Sequence, residues 1–236
     1  MKSAPDKAPD RIAGMFDAIA PRYDFLNHFL SAGIDRRWRT KAIKTLGLSG
    51  RETLVDVCTG TADVALEGEA QGAARVIGVD FAGAMLKIGL AKVDRAGKSD
   101  RIALVRGDAM RLPVADGTAD AVTVAFGIRN VQQPEVACRE MARVLRPGGR
   151  LAILEFGVPR IPGVSAAYLW YFSRVLPRLG RMISGHSAAY SYLPASVGTF
   201  PPPAEFMEIL RAAGFSGVQA SPLTLGIVYL YTAHKA

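Results

Sequence analysis

The chain has 236 residues, half of them hydrophobic, with a formal net charge of +8. That length suits one large core, and no run reaches the ~18 uninterrupted apolar residues that a membrane-spanning helix needs. The polar, proline-containing start, Met1 to Arg11, lacks the apolar core of a signal peptide and reads as a frayed tail.

In chain order, residues 11–47 look helical, Ile34 to Leu46 most clearly so. β-branched runs then alternate with helical patterns, as in βαβ units. Thr53 to Val57, Val76 to Val79, Ile102 to Val105, Ala121 to Phe126 and Leu151 to Phe156 read as five strands. Asp63 to Gln71, Gly83 to Ala96 and Pro134 to Leu145 read as the helices between them. Pro134 suits a first helical position, and Arg146-Pro-Gly-Gly149 is expected to stop that helix and turn the chain. A helical addition over 163–185, a helix over Ala204 to Ala213 and strands over Val218 to Ala220 and Leu225 to Ala233 complete the pattern. Near-continuous apolar strands joined by crossover helices predict a mostly parallel, seven-stranded α/β sheet with helices on both faces. The expected organisation is a disordered tail over 1–10 and one domain over 11–236. Within it lie a helical cap (11–50), a cofactor-binding core (51–157), a helical insertion (158–200) and a C-terminal helix with strands (201–236).

Two cysteines, Cys58 and Cys138, lie in apolar runs and predict free buried thiols in a reducing compartment. No Cys/His cluster has ligand spacing, so no metal is expected. Residues 51–155 are neutral, whereas 1–50 and 156–236 carry +4 each. A basic surface attracts nucleic acid or anionic lipid.

Ligands of open α/β sheets bind at the carboxyl ends of the strands. The first strand-to-helix turn is Asp56-Val-Cys-Thr-Gly-Thr-Ala-Asp63, and Asp80 ends the second strand twenty residues after Gly60. Gly60 permits a tight turn and close ligand approach. Asp80 is placed to accept hydrogen bonds from a ribose. Gly60, Ala62 and Ala65 only loosely imitate a dinucleotide-binding loop. Asp63 would repel a pyrophosphate at the helix N-terminus but suits a cationic donor, so Asp56, Asp63 and Asp80 point to S-adenosylmethionine. Helix capping is the plain alternative for Asp63 and Asp80. The Arg106-Gly-Asp-Ala109 turn offers Asp108 and its neighbouring backbone to an adenine.

Three phrases carry a family likeness: Met15-Phe-Asp-Ala-Ile-Ala-Pro-Arg-Tyr-Asp24, Ala125-Phe-Gly-Ile-Arg-Asn-Val131 and Arg143-Val-Leu-Arg-Pro-Gly-Gly-Arg-Leu-Ala-Ile-Leu-Glu-Phe156. With Tyr192-Leu193, Ser196 and Phe200-Pro201, they make the chain similar to the ubiquinone/menaquinone biosynthesis C-methyltransferases from about Met15 to Lys235. The resemblance implies a class I S-adenosylmethionine-dependent methyltransferase fold and methylation of a polyprenylated benzoquinol or naphthoquinol. It implies cofactor contacts from Thr61, Asp80, Asp108 and Ala109, beside the Asp56, Gly60 and Asp63 read above. Ala62 stands where the family usually has glycine. The resemblance turns Arg129, Asn130 and Tyr23 toward the quinol.

On that reading Arg129 stabilises the phenolate, directly or through an activated water, Asn130 holds a hydroxyl and Tyr23 orients the ring or relays a proton. The permanent protonation of arginine argues against an unaided arginine base, and the structural alternative is an Arg129–Glu155 pair. The alternative for Tyr23 is a core aromatic. His28, His186 and His234 receive no role. A prenylated substrate requires a membrane surface, so Tyr168-Leu-Trp-Tyr-Phe172 with Arg174, Arg178 and Arg181 is a candidate peripheral contact. The same cluster also suits a helix that covers the sheet edge and packs its aromatics inward. A cytoplasmic location at the inner membrane face is expected, and a homodimer is allowed. No dense basic run interleaved with aromatics marks a nucleic-acid groove, so no nucleic-acid partner is expected. A non-catalytic assembly subunit is the other rival, and Arg129 and Asn130 argue against it.

Overall fold

The computed structural model describes residues 7–31, 33–159, 161, 163–171, 174 and 187–236. Helices α1 (Pro9–Leu30) and α2 (Ile34–Thr45) precede β1 (Thr53–Val57), α3 (Asp63–Ala70), β2 (Arg75–Asp80), α4 (Gly83–Arg95), β3 (Ile102–Arg106) and β4 (Ala119–Ala125). A 3₁₀ turn (Ile128–Asn130), α5 (Pro134–Val144), β5 (Leu145–Phe156), α6 (Val164–Trp170), α7 (Ser187–Thr199) and α8 (Pro203–Ala212) follow. Strands β6 (Phe215–Leu223) and β7 (Val228–Lys235) end the chain.

The strands form one seven-stranded sheet in the order β3-β2-β1-β4-β5-β7-β6. β1 to β5 pair in parallel, and β7 runs antiparallel between β5 and β6. Both faces of the central strands are buried, which is why they read as continuous apolar runs rather than alternating ones. Val55, Val57, Val122, Val124 and Ile153 pack with Met141 of α5 and with Phe206 and Leu210 of α8. Leu54, Val76, Ala121, Ala152 and Leu154 turn the other way, onto Trp38, Ala42 and Ile43 of α2 and Val64 and Ala65 of α3. Period-2 alternation therefore assigns neighbouring residues to opposite layers.

Four boundaries differ from the sequence reading. α1 starts at Pro9, inside the expected tail, because proline fits a first helical position and the Ala8 carbonyl accepts from Arg11 and Ile12 at 3.0 and 3.1 Å. β5 starts at Leu145, so Arg146–Gly149 is not a separate turn. Its pairing with β4 shifts register between Ala119 and Ala121, and Gly148 at φ +72° lets the strand bulge and continue. β6 spans nine residues instead of three, as an edge strand whose mostly exposed side chains leave no apolar pattern. Leu225 begins no strand. With Thr224 it adopts a left-handed backbone in a 3₁₀ turn held by the Trp38 indole N–H, which donates to Thr224 Oγ1 at 2.9 Å. The insertion expected over 163–185 lies largely outside the described residues; α6 covers its start.

Gly127 joins β4 to the 3₁₀ turn at φ −111°, a conformation open to any residue, so its requirement is spatial. A Cβ there would overlap Cys58 Cβ and lie 2.9 Å from Cys58 Sγ. Gly127→Ala is therefore expected to lower unfolding free energy by about 1–3 kcal/mol in denaturant titration; an unchanged midpoint would refute this packing argument.

Candidate active site

The sheet order reverses between β1 and β4, and at their carboxyl ends lies a cavity partly open to solvent. Residues Pro9, Ile12, Ala13, Phe16 and Tyr23 of α1 roof it, at helical spacing on one face. Two interactions seat the roof: Asp17 Oδ1 accepts from the Ala84 amide at the start of α4 (2.8 Å), and Asp24 meets Lys92 Nζ at 2.5 Å.

Of the residues expected from sequence, Tyr23, Gly60, Asp80, Asp108, Ala109 and Asn130 line the cavity, whereas Asp56, Thr61, Asp63 and Arg129 do not. Asp80 Oδ2 accepts from the Gly60 amide (2.7 Å) and Oδ1 from the Ala82 amide (2.8 Å). Burial pushes its pKa up. A carboxylate has about four acceptor positions, so Asp80 retains capacity for a diol. Asp108 Oδ1 accepts from the Met110 amide at 2.8 Å. Gly60 has φ +56° and open space where a Cβ would stand, so this loop leaves room for a ligand against bare backbone. Two carboxylates, an open glycine loop and apolar walls from Phe81, Met85 and Phe126 fit a cationic nucleoside donor.

The other acids act differently from the sequence expectation. Asp63 is neutralised by Arg39 and Lys92, each at 2.6 Å, because α2 and α4 bring cations that the loop sequence does not display. Asp56 is buried, accepts from Thr59 Oγ1 at 2.6 Å, and has its pKa pushed up to about 7 by desolvation. Thr61 Oγ1 donates to Asp24 Oδ1 at 2.5 Å, tying the loop to the roof. Asp24, Arg39 and Lys92 were not legible as site residues, since their partners lie on other elements.

Arg129 is 6% exposed and pairs through Nη1 with Glu155 Oε1 at 2.9 Å. Nη1 also donates to the Phe126 carbonyl, and the guanidinium lies 5.3 Å from the Phe156 ring. Glu155 is fully buried and also accepts from the amides of Arg129 (3.2 Å) and Phe156 (2.7 Å). Asn130 is 9% exposed, and its Oδ1 has no hydrogen-bond partner among the described residues. Cys58 at φ +57° and Phe126 at φ +60° line the cavity in left-handed backbone, and Ala62 at φ +67° begins α3 beside it. Such strain costs about 1–3 kcal/mol per residue and clusters at functional sites. Burial, then Asp80 and Asp56, push the Cys58 thiol well up, which keeps it protonated. Among the described residues, no group of His, Cys, Asp or Glu is placed to hold a metal.

Residues 4–235 match the ubiE/COQ5 methyltransferase family. The chain belongs to that family. It is an S-adenosylmethionine-dependent methyltransferase, in agreement with the cavity's donor set. The "Ubiquinone/menaquinone biosynthesis C-methyltransferase UbiE" of Syntrophotalea carbinolica is 48% identical over 94% of this chain and 93% of its own length. The "Demethylmenaquinone methyltransferase" of Bacteroides fragilis is 42% identical over 97% and 94%. In fold, the chain resembles a crystal structure from Thermotoga maritima described as an "SAM-dependent methyltransferase, possible histamine N-methyltransferase". The TM-score is 0.65 at 19% identity, covering 95% of this chain and all of the other.

Two outcomes test this electrostatic arrangement. Arg129→Ala leaves Glu155 buried without its cation and is expected to cost about 3–5 kcal/mol of stability by chemical denaturation. A loss under about 1 kcal/mol would remove the pair from its bracing role. Asp56 holds its proton more tightly folded than unfolded, so its contribution to stability falls as pH rises from 3.8 to about 7. Asp56→Asn is expected to gain on wild type over that interval, by at most about 1.4 kcal/mol per pH unit. Unfolding curves at several pH values would show it, and a pH-independent difference would contradict it.

Proposed function

We propose that the chain methylates a ring carbon of a polyprenylated quinol: demethylmenaquinol, 2-polyprenyl-6-methoxy-1,4-benzoquinol, or both. The observation that carries this reading is near-full-length identity of 42–48% to relatives named for ubiquinone and menaquinone biosynthesis. When bound, S-adenosylmethionine supplies an electrophilic methyl group.

The chain's residues hold and align. Gly60, Asp80, Asp108 and Ala109 hold the nucleoside end of the donor. Asp56, Thr61 and Asp63 support that loop from behind, through the Thr59, Asp24, Arg39 and Lys92 contacts. Asn130 Oδ1 accepts from a quinol hydroxyl, which satisfies an otherwise unpaired buried acceptor. Tyr23, edge-on to Phe16 at 6.0 Å, orients the ring. Arg129, already paired to Glu155, positions Asn130 by bracing the turn that carries it. The apolar walls exclude water, and alignment of reacting groups contributes up to ~7–11 kcal/mol.

Among the described residues no helix is long and apolar enough to cross a membrane. A prenylated substrate lies in the bilayer, and contact with the bilayer surface is part of this reading. Tyr168 packs inward with Val197 beside Phe156 and Ile227, whereas Trp170 and Leu225 are each 61% exposed. Val158 and Ile161 are exposed in the intervening loop, and Arg174 is exposed past α6. These residues support peripheral contact with a bilayer. Phe172, Arg178 and Arg181 lie outside the described residues.

Methyl-labelled S-adenosylmethionine and both demethyl quinols in anionic liposomes provide the test. Label is expected in at least one quinol. Asn130→Ala is expected to lower turnover about 10- to 100-fold with donor affinity kept. Trp170→Ala is expected to slow transfer to the liposomal quinol but not to a short-chain soluble one. Absence of label from both quinols would overturn the substrate reading.

A further inference from the structure

The pairing of Arg129 with Glu155 leaves a chemical question: which group supplies positive charge to the acceptor. The acceptor is a phenol, and its ring carbon becomes strongly nucleophilic only as the oxygen loses its proton. A cation beside that oxygen favours the ionised form. Arg129 already faces a fully buried carboxylate and does not line the cavity.

Among the described residues lining the cavity, Lys7 is the only lysine or arginine. It stands two residues before α1, next to the face Pro9, Ile12, Ala13 and Phe16 that roofs the site. That helix is held by Asp17 on the Ala84 amide and by Asp24 on Lys92 and Thr61. The Lys7 side chain is half-buried, and no carboxylate forms an ion pair with it among the described residues. The charges it feels are Glu155 on β5, Arg129 on the 3₁₀ turn and Glu135 on α5. Asn130, Val131 and Gln132 line the same cavity as Lys7. Burial lowers its pKa, as expected for an ammonium that has shed water without gaining a fixed partner.

We propose that Lys7 is a catalytic residue whose ammonium binds the ionised hydroxyl oxygen of the quinol; this rests on the quinol reading above. The ammonium keeps its proton throughout. The phenolic proton leaves to water, the ring carbon bonds to the methyl group, and the pair of the broken C–S bond stays on sulfur. Loss of the proton from the methylated ring carbon to water then restores aromaticity. The shared chemistry is an anionic oxygen, which the donor's carboxylate also offers, and the two sources give different results.

The test uses the full chain, Lys7→Gln and Lys7→Arg. Turnover is measured on the labelled-donor assay, donor affinity by calorimetry, and phenol ionisation by ultraviolet titration of bound prenylated 1-naphthol, which has one ionisable hydroxyl. If Lys7 binds the acceptor oxygen, Lys7→Gln lowers kcat about tenfold or more and moves the acidic limb of the pH–rate profile upward. The bound naphthol then ionises about one pH unit higher than in wild type. Donor affinity stays within about twofold, and Lys7→Arg recovers most of the rate. A tenfold loss of donor affinity with naphthol ionisation unchanged assigns Lys7 to the donor carboxylate and overturns the proposal. Unchanged kcat and titration in Lys7→Gln also overturn it. A wild-type chain that methylates neither quinol overturns the quinol reading and this assignment together, whereas an active wild type with an indifferent variant overturns the assignment alone.

Discussion

A buried ion pair at the end of the central strands sets the geometry of the site. Glu155 is sealed from solvent and takes Arg129 Nη1 together with two backbone amides, which offsets the desolvation of its charge. Arg129 in turn donates to the Phe126 carbonyl, fixing a residue in left-handed backbone between the rings of Trp38 and Phe156. The turn from Phe126 to Asn130 is thereby held against β5, and the Asn130 amide is offered to the cavity. The same pairing consumes the charge of Arg129. Arg129 braces this turn.

A second set of charges ties the roof to the sheet. Asp35, Arg39, Asp63, Lys92 and Asp24 alternate in sign across α2, α3, α4 and α1. The Asp35–Arg39 pair is buried; the pairs that Lys92 makes are partly exposed and contribute about 0–1 kcal/mol each, but the network gives α1 a defined register over the cavity. Ala20 packs there with Ala82 and Met85, with Phe16, Ile19, Tyr23, Ala84 and Ile88 partly buried around them. The roof is therefore seated by directional contacts as well as by apolar packing.

The acid-lined character inferred from sequence survives with different carriers. Asp56 and Asp63 were read as facing a cationic donor, yet Asp63 is neutralised and Asp56 sits behind the wall. Asp80 and Asp108 line the cavity instead. The first loop shows its acids in sequence but not the cations that α2 and α4 bring to them. The sheet was easier to read: uninterrupted runs such as Leu54 to Val57 and Val122 to Val124 must be buried on both faces, which demands helices above and below. Where side chains alternate or face solvent, as along β6, the pattern vanished and the strand was cut short.

Local pattern alone determined the strand–helix alternation, the ligand end of the sheet and the acids at the ends of β1 and β2. These follow from periodicity and turn chemistry, which act between neighbours in the chain. Only the tertiary structure decided which acids stay available, that Arg129 is paired, and that Lys7 of the supposed tail overlooks the cavity. Those are matters of charge between residues far apart in sequence. Glu155 and Arg129 are separated by 26 positions and Lys92 and Asp24 by 68, and no local periodicity records which charges meet once the chain is folded.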